Sequence, residues 1–303
     1  MYPATIQFHS QSGNFSRIAW GVWRLPEWRL SAQQLLALVE SAIQIGLTTI
    51  DHADIYGGYT CESLFGEILY LKPSLRQHMQ LVSKCGIKLV SPARPAHKVK
   101  SYDTSAAHIL ASAENSLRQL RTDYLDLLLI HRPDPFMDAD ETADALFGLV
   151  QSGKVRSVGV SNFTPSQFNL LQSRLPIPLV TNQVEASLLH REPFLDGTLE
   201  QCQQLRIAPM VWSPLAGGKL FNTQHPAYAR LFPLLERIAA EVGAGTAEQV
   251  ALAWLLAHPA RIVPVVGSGN LTHLAQAVQA LQINISREQW FELWTAAAGS
   301  EVP

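Results

Sequence analysis

The stretch LDLLLIH, residues 125–131, reads as a strand with almost no polar face. Alternation of apolar and polar residues marks a strand with one side in water. A run that is apolar nearly throughout marks a strand covered on both sides, as in parallel sheets flanked by helices. The run then stops on an ionisable group, His131.

Short apolar, β-rich runs recur on either side of it. They are RIAWG (17–21), TTID (48–51), QLVSK (80–84), VRSVGVS (155–161), LVTNQ (179–183), APMVWS (208–213) and RIVPVVG (261–267). Segments of helical period separate them, and several helix starts are signposted. SAQQ at 31, TPSQ at 164, TAEQ at 246 and SREQ at 286 each fit a capping box. In that motif the Ser or Thr oxygen takes a free amide of the first turn and the Gln three positions on returns the bond. Pro165 stands where a missing N–H is harmless, and SAQQLLALVESAIQIG runs amphipathically to a stop at Gly46. Eight strands, each followed by a helical stretch, give an α/β (βα)8 TIM barrel. A doubly wound open sheet would announce a Gly-rich turn after its first strand, and RIAWGVWRLPEW offers one glycine. No low-complexity or Pro/Gly-rich linker divides the chain, so residues 1–303 are expected to form a single barrel domain.

Composition narrows the partners. Lys plus Arg number 23 and Asp plus Glu 25, so no global field favours nucleic acid or an anionic membrane. No apolar run has membrane-spanning length, and MYPATIQFHSQSGN lacks the basic-then-apolar pattern of a signal peptide. The scattered cysteines Cys61, Cys85 and Cys202 suggest neither a disulfide framework nor a zinc site. The expectation is a globular, enzyme-like cytoplasmic chain with no nucleic-acid or membrane partner.

In a barrel of this type the active site lies at the C-terminal strand ends. Those ends carry Asp51, Lys84, His131, Ser161-Asn162, Asn182-Gln183, Trp212-Ser213 and Gly267-Ser268-Gly269. Taken singly, each has a plain structural reading: Asp51 as a turn cap, Lys84 as a surface lysine, His131 as a hydrogen-bonded structural histidine, Trp212 as core. Cys85, beside Lys84, reads as buried filler. Convergence of so many polar ends on one mouth points to chemistry.

The strings TTIDHADIYGG, LLLIHRPDP, GVSNFTP, TNQVEASLLH and VWSPLAGGKL resemble, in order and spacing, the successive signatures of the aldo-keto reductases. Within that family they are most similar to the bacterial YdhF-type oxidoreductases. The resemblance runs from about residue 17 to the C-terminus. It implies reduction of aldehydes or ketones with a nicotinamide cofactor, NADPH by family habit. Tyr56 matches the general acid, Lys84 the ammonium beside it, Asp51 the carboxylate that holds Lys84, and His131 the donor to the substrate oxygen. An unperturbed phenol has a pKa of about 10, and a neighbouring ammonium is expected to lower it. Gly57-Gly58 let the chain turn behind Tyr56, while His52 and Asp54 are read as structural, Asp54 bracing the loop.

The resemblance also implies the cofactor contacts. Ser161, Asn162 and Gln183 match the grip on the nicotinamide carboxamide, and Trp212 the ring that stacks on the nicotinamide. Ser213, Leu215 and Lys219 fall in the loop reaching the pyrophosphate. Gly267, Ser268 and Gly269 fall in the loop after the last strand, where backbone amides suit a phosphate. His273 and Gln276 mark a departure. Many family members carry a basic residue near the first and an acid followed by Asn near Gln276-Ala277, and this chain has none of them. NADH is therefore an open alternative. Trp23, Trp28, Tyr59 and the segment 85–103 are candidates either for the substrate pocket or for loop packing.

Two other readings compete. A metal-dependent hydrolase would use Asp51, His52, Asp54 and His131 as ligands, but successive residues of a strand point to opposite sides. A cofactor-binding regulatory or redox-sensing subunit would not need Tyr56, Lys84 and His131 together. The C-terminal helix, carrying Trp290, Phe291 and Trp294, is expected against the barrel's outer helices, with a dimer contact as the alternative.

Overall fold

The computed structural model describes residues 1–302. Eight parallel strands close into a barrel: β1 (Ala19–Gly21), β2 (Thr49–Asp51), β3 (Gln80–Cys85), β4 (Leu127–Ile130), β5 (Val158–Ser161), β6 (Leu179–Glu185), β7 (Met210–Trp212) and β8 (Val263–Val266). Each pairs with its neighbour in sequence, and β8 pairs with β1 to close the ring. Strand β4 shows why LDLLLIH had to be apolar. Leu127 and Leu129 face the barrel interior with Val82, Met210 and Val263. Leu128 and Ile130 face outward against Ile109 and Leu146 of the helical layer. Asp126, the polar exception, lies before the strand and is satisfied by Arg76 at 2.7 Å, Arg156 at 3.1 Å and the Leu81 amide at 2.9 Å.

The helical layer comprises α1 (Ala32–Gln44), α2 (Cys61–Leu71), α3 (Ala106–Leu120), α4 (Ala139–Gln151), α5 (Pro165–Gln172), α6 (Thr198–Gln204), α7 (Tyr228–Val242), α8 (Ala247–Leu256), α9 (Leu271–Gln279) and α10 (Arg287–Ala298). All four expected capping boxes form, at Ser31, Thr164, Thr246 and Ser286. Helix α1 stops as foreseen, with Gly46 at φ 90°. Helix α10 lies on α7 and α8. Trp254 and Trp290 stack at 4.9 Å, and each indole N–H donates to the other's carbonyl, at 3.1 and 3.0 Å. Among the described residues, no helix is long and apolar enough to cross a membrane.

Two features depart from the sequence reading. A hairpin of Thr5–Gln7 and Asn14–Ser16 precedes the barrel. Its Ile6, Phe8 and Phe15 join the interior core, with the two phenyl rings 4.4 Å apart, and plug the end opposite the C-terminal strand ends. Three-residue strands are too short to display a period of two, so nothing in the sequence pattern marked them. Strand β6 also runs on to Glu185, which places Asn182 and Gln183 inside the strand rather than at its end. Being adjacent, they face opposite ways. The Asn182 side chain donates outward to the Phe163 carbonyl at 2.8 Å, and Gln183 points into the barrel.

Candidate active site

Asp51 and Lys84 sit on neighbouring strands with their side chains inside the barrel mouth. The Lys84 ammonium lies 2.9 and 2.8 Å from the two Asp51 oxygens, 2.8 Å from the His52 carbonyl and 3.0 Å from the Tyr56 hydroxyl. Three N–H donors thus meet four acceptors, and the carboxylate shares one. Tyr56 reaches this point because the chain makes a single tight turn over Tyr56–Gly58, with Gly57 at φ 59° and Gly58 at φ 65°. A Cβ on Gly57 would stand 2.8 Å from Cys61 Sγ and 2.9 Å from Pro26, so both backbone angle and space require glycine. The His131 ring is edge-on to Tyr56, with centroids 5.9 Å apart. Its Nδ1 is buried without a partner, which leaves Nε2 as the nitrogen open to the mouth.

Burial and charge compete at each group. Burial pulls the Lys84 ammonium down, but Asp51 and then Tyr56 more than reverse this, so Lys84 is held above its ordinary value. Burial pushes the Tyr56 phenol up, and Lys84 pulls the other way without reversing it. The net direction is upward, contrary to the lowering expected from the sequence, because a phenolate loses more on leaving water than one ammonium returns. Burial, aided by Lys84 and Arg132, holds His131 well below the usual imidazole range, so the ring is neutral. Burial likewise keeps the Cys85 thiol well above its ordinary value, consistent with filler.

A second hydrogen-bonded chain runs from this group to Trp212. Gln183 donates to Asp51 Oδ1 at 2.9 Å. Ser161 Oγ donates to the Gln183 carbonyl at 2.8 Å, Asn162 Nδ2 to Ser161 Oγ at 2.8 Å, and the Trp212 indole N–H to Asn162 Oδ1 at 3.0 Å. Asn162, Ser213 and Ala216 all have positive φ, at 61°, 52° and 52°. Three of the eight non-glycine residues with left-handed backbone among the described residues thus belong to this group.

The loop after β8 forms a third group. Trp20 donates to the Ser268 carbonyl at 2.9 Å, Arg24 to the Gly267 carbonyl at 2.9 Å, and Ser268 Oγ lies 3.5 Å from His273 Nδ1. A Cβ on Gly269 would stand 2.6 Å from the Trp28 indole, which itself stacks on Trp20 at 5.7 Å. Gly269 is therefore glycine because an indole packs on it. Asn270 caps α9 by accepting the Thr272 amide at 2.8 Å, while the amides of Leu271 and His273 have no backbone acceptor. Lys219 is exposed and Leu215 half-buried. The Gln276 carbonyl accepts from Gln249 at 3.0 Å, and no hydrogen bond joins the Gln276 side chain to the Ser268–His273 pair. Ala277 is buried in the core.

The aromatic candidates divide. Trp23 is 56% exposed. Trp28 is occupied against the loop after β8. Tyr59 accepts the Leu89 amide at 2.8 Å and lies under Arg94 at 4.7 Å, so it fastens the 85–103 segment. His52 is buried edge-on to Phe65 at 4.7 Å with neither ring nitrogen bonded, and burial lowers it to about 3. Asp54 braces the loop through its amide, which donates to the Lys84 carbonyl at 3.1 Å, while its Oδ1 is buried without a partner. Sequence reasoning missed the His52 carbonyl as a ligand of Lys84, since a main-chain acceptor has no residue signature. It also passed over Arg132, whose guanidinium lies 5.4 Å from the Trp212 ring centroid; adjacency to His131 was the available signal.

The model of the Aldo/keto reductase family matches residues 17–297. The chain is 53% identical to Oxidoreductase YdhF of Escherichia coli, covering 98% of this chain and 99% of that one. It is 49% identical to a 6-dehydroglucose reductase of Agrobacterium fabrum, covering 95% and 96%. Among solved structures, an aldo/keto reductase from Klebsiella pneumoniae in complex with NADP and acetate superposes with a TM-score of 0.75 at 29% identity, covering 95% of this chain and 94% of that one.

Proposed function

Because the chain belongs to the aldo/keto reductase family, and is thereby an oxidoreductase, we propose that it reduces an aldehyde or ketone to an alcohol with NADPH, Tyr56 acting as the general acid. The 3.0 Å contact between the Lys84 ammonium and the Tyr56 hydroxyl carries this reading.

The cofactor fits what the chain offers. The half-buried Trp212 indole, held in plane by Asn162, suits stacking on a nicotinamide. The second lone pair of Asn162 Oδ1 and the Oε1 of Gln183 suit a carboxamide NH2 group. Ser213, Leu215 and the exposed Lys219 would flank the pyrophosphate. The free Leu271 and His273 amides suit a phosphate oxygen, alongside Gly267, Ser268 and Gly269. His273 would meet the adenosine 2′-phosphate through Ser268, and Gln276 would face the adenine. When bound, NADPH supplies a hydride to the carbonyl carbon.

The residues of the chain handle the oxygen. Negative charge develops there as the carbonyl is reduced, and donors aimed at that point stabilise it. Tyr56 Oη gives up its proton to the oxygen. Burial has kept that proton in place at neutral pH, and the Lys84 ammonium stabilises the phenolate left behind. Asp51 keeps Lys84 charged and aimed. Neutral His131, with its proton on Nε2, donates to the same oxygen and orients it.

Two measurements test this. Tyr56→Phe should lose nearly all carbonyl reduction while still quenching NADPH fluorescence on binding; wild-type turnover in that variant would refute the acid assignment. A panel of aldehydes, ketones and quinones, headed by 6-dehydroglucose because of the 49% identical relative, should be run with NADPH and NADH. A higher kcat/KM with NADH would overturn the cofactor choice.

A further inference from the structure

Arg132 leaves β4 directly after His131, and its guanidinium covers part of the Trp212 ring at 5.4 Å from the centroid. It is only partly exposed, yet among the described residues no side chain or carbonyl accepts a hydrogen bond from it, and no carboxylate pairs with it. That combination is unusual in this chain. Arg76 and Arg156 share Asp126, Arg121 pairs with Glu67, Arg174 with Asp140, and Arg24 donates to Gly267. The other arginines without a polar partner, Arg29, Arg206 and Arg287, are exposed, where water solvates them.

The nearest acid in sequence is already committed. Asp134 accepts from the Thr104 amide and hydroxyl and from the Phe136 amide. Lys84, the other cation of the mouth, is neutralised by Asp51. Arg132 therefore presents an uncompensated, donor-rich fork beside the imidazole that meets the reacting oxygen. Stacking on Trp212 restrains the fork in advance, so less freedom is lost when it binds. Guanidinium donors select acceptor oxygens, and in a partly dewatered site a bare alkyl group would leave them unpaired.

Resting on the carbonyl-reduction reading above, we propose that Arg132 sets substrate preference in this site. It takes an acceptor oxygen on the substrate's own carbon chain, so the enzyme favours carbonyl compounds bearing a hydroxyl or carboxylate group over plain alkyl ones. Among the described residues its side chain has no hydrogen-bonded or ionic partner to orphan, so Arg132→Met and Arg132→Gln should leave the fold in place.

The test compares kcat/KM for glyceraldehyde, 4-oxobutanoate and butanal with NADPH, in wild type and both variants, alongside NADPH binding by fluorescence. The expected result is that wild type prefers at least one oxygen-bearing aldehyde to butanal. In both variants that preference falls by roughly 10- to 100-fold, mainly through KM, as loss of a charge-assisted hydrogen bond predicts. A fall confined to glyceraldehyde identifies a hydroxyl as the bound group, and one confined to 4-oxobutanoate a carboxylate. Unchanged ratios overturn the assignment. So does an equal loss on all three aldehydes matched by weaker NADPH binding, which would give Arg132 to the cofactor. If wild type reduces none of the three nor any other carbonyl compound, the carbonyl-reduction reading fails and this one with it.

Discussion

Replacing Lys84 by Met isolates the buried ion pair at the centre of the site. The Lys84 side chain is 1% exposed and that of Asp51 4%, and the ammonium contacts both carboxylate oxygens within 2.9 Å. In the variant, Asp51 keeps Gln183 as its side-chain donor at 2.9 Å and is otherwise a charge stranded in the protein. Breaking one side of such a pair costs about 3–5 kcal/mol. At roughly 2 °C per kcal/mol for a chain of this size, the midpoint should fall by about 6–10 °C. Asp51→Leu should be comparably damaging because it strands Lys84. The double variant should be less destabilised than the sum of the two by at least about 2 kcal/mol, since neither charge remains. Urea unfolding followed by tryptophan fluorescence at pH 7.5, without cofactor, measures all three. That pH is suitable. A lysine with a raised pKa contributes its stability below the unfolded value and loses it only as pH climbs through the folded one. A Lys84→Met variant within about 1 kcal/mol of wild type, or a double variant equal to the sum of the singles, would refute the reasoning.

Gly66→Ala should destabilise by at least about 2 kcal/mol, because its Cβ would lie 2.0 Å from the Gln119 carbonyl oxygen where α2 meets α3. Gly148→Ala, mid-helix with nothing within 4 Å, should stabilise by about 0.5–1 kcal/mol; chemical unfolding of the pair checks both, and equal effects would contradict the packing. His52, buried and lowered from 6.5 to about 3, contributes fully above pH 6.5 and progressively less as pH falls toward 3. Between pH 7.5 and 5 the stability of wild type should therefore drop relative to His52→Leu by about 2 kcal/mol. Comparison with the variant is needed because Asp54 and Glu62, raised by burial, change with the opposite sign; parallel curves would show that His52 is not the titrating group.

Local physics made much of this molecule legible. A capping box is closed within four residues, so Ser31-Gln34, Thr164-Gln167, Thr246-Gln249 and Ser286-Gln289 could be read directly and all form. The eight strand runs were legible for the same reason, since strands covered on both faces are richer in apolar and β-branched side chains than the segments that flank them. The hairpin over residues 5–16 was not, because its value lies in capping a barrel end that a linear reading does not contain. Asn182 and Gln183 look equivalent in the sequence, and only the direction of the strand separates a structural amide from one that donates to Asp51.

What the sequence by itself determined is the barrel, the family and the identity of the groups gathered at the mouth, because strand pattern and short motifs are properties of neighbouring residues. What only the tertiary structure decided is how those groups behave. Asp51 meets Lys84 across 33 positions and Gln183 across 132, so their contacts exist only once the ring of strands has closed. The direction in which Tyr56 is displaced depends on burial outweighing a neighbouring ammonium, and burial belongs to the folded chain. Arg132 is one arginine among many in the sequence. Its partnerless position beside His131 and Trp212 is set by where every carboxylate of the protein ends up.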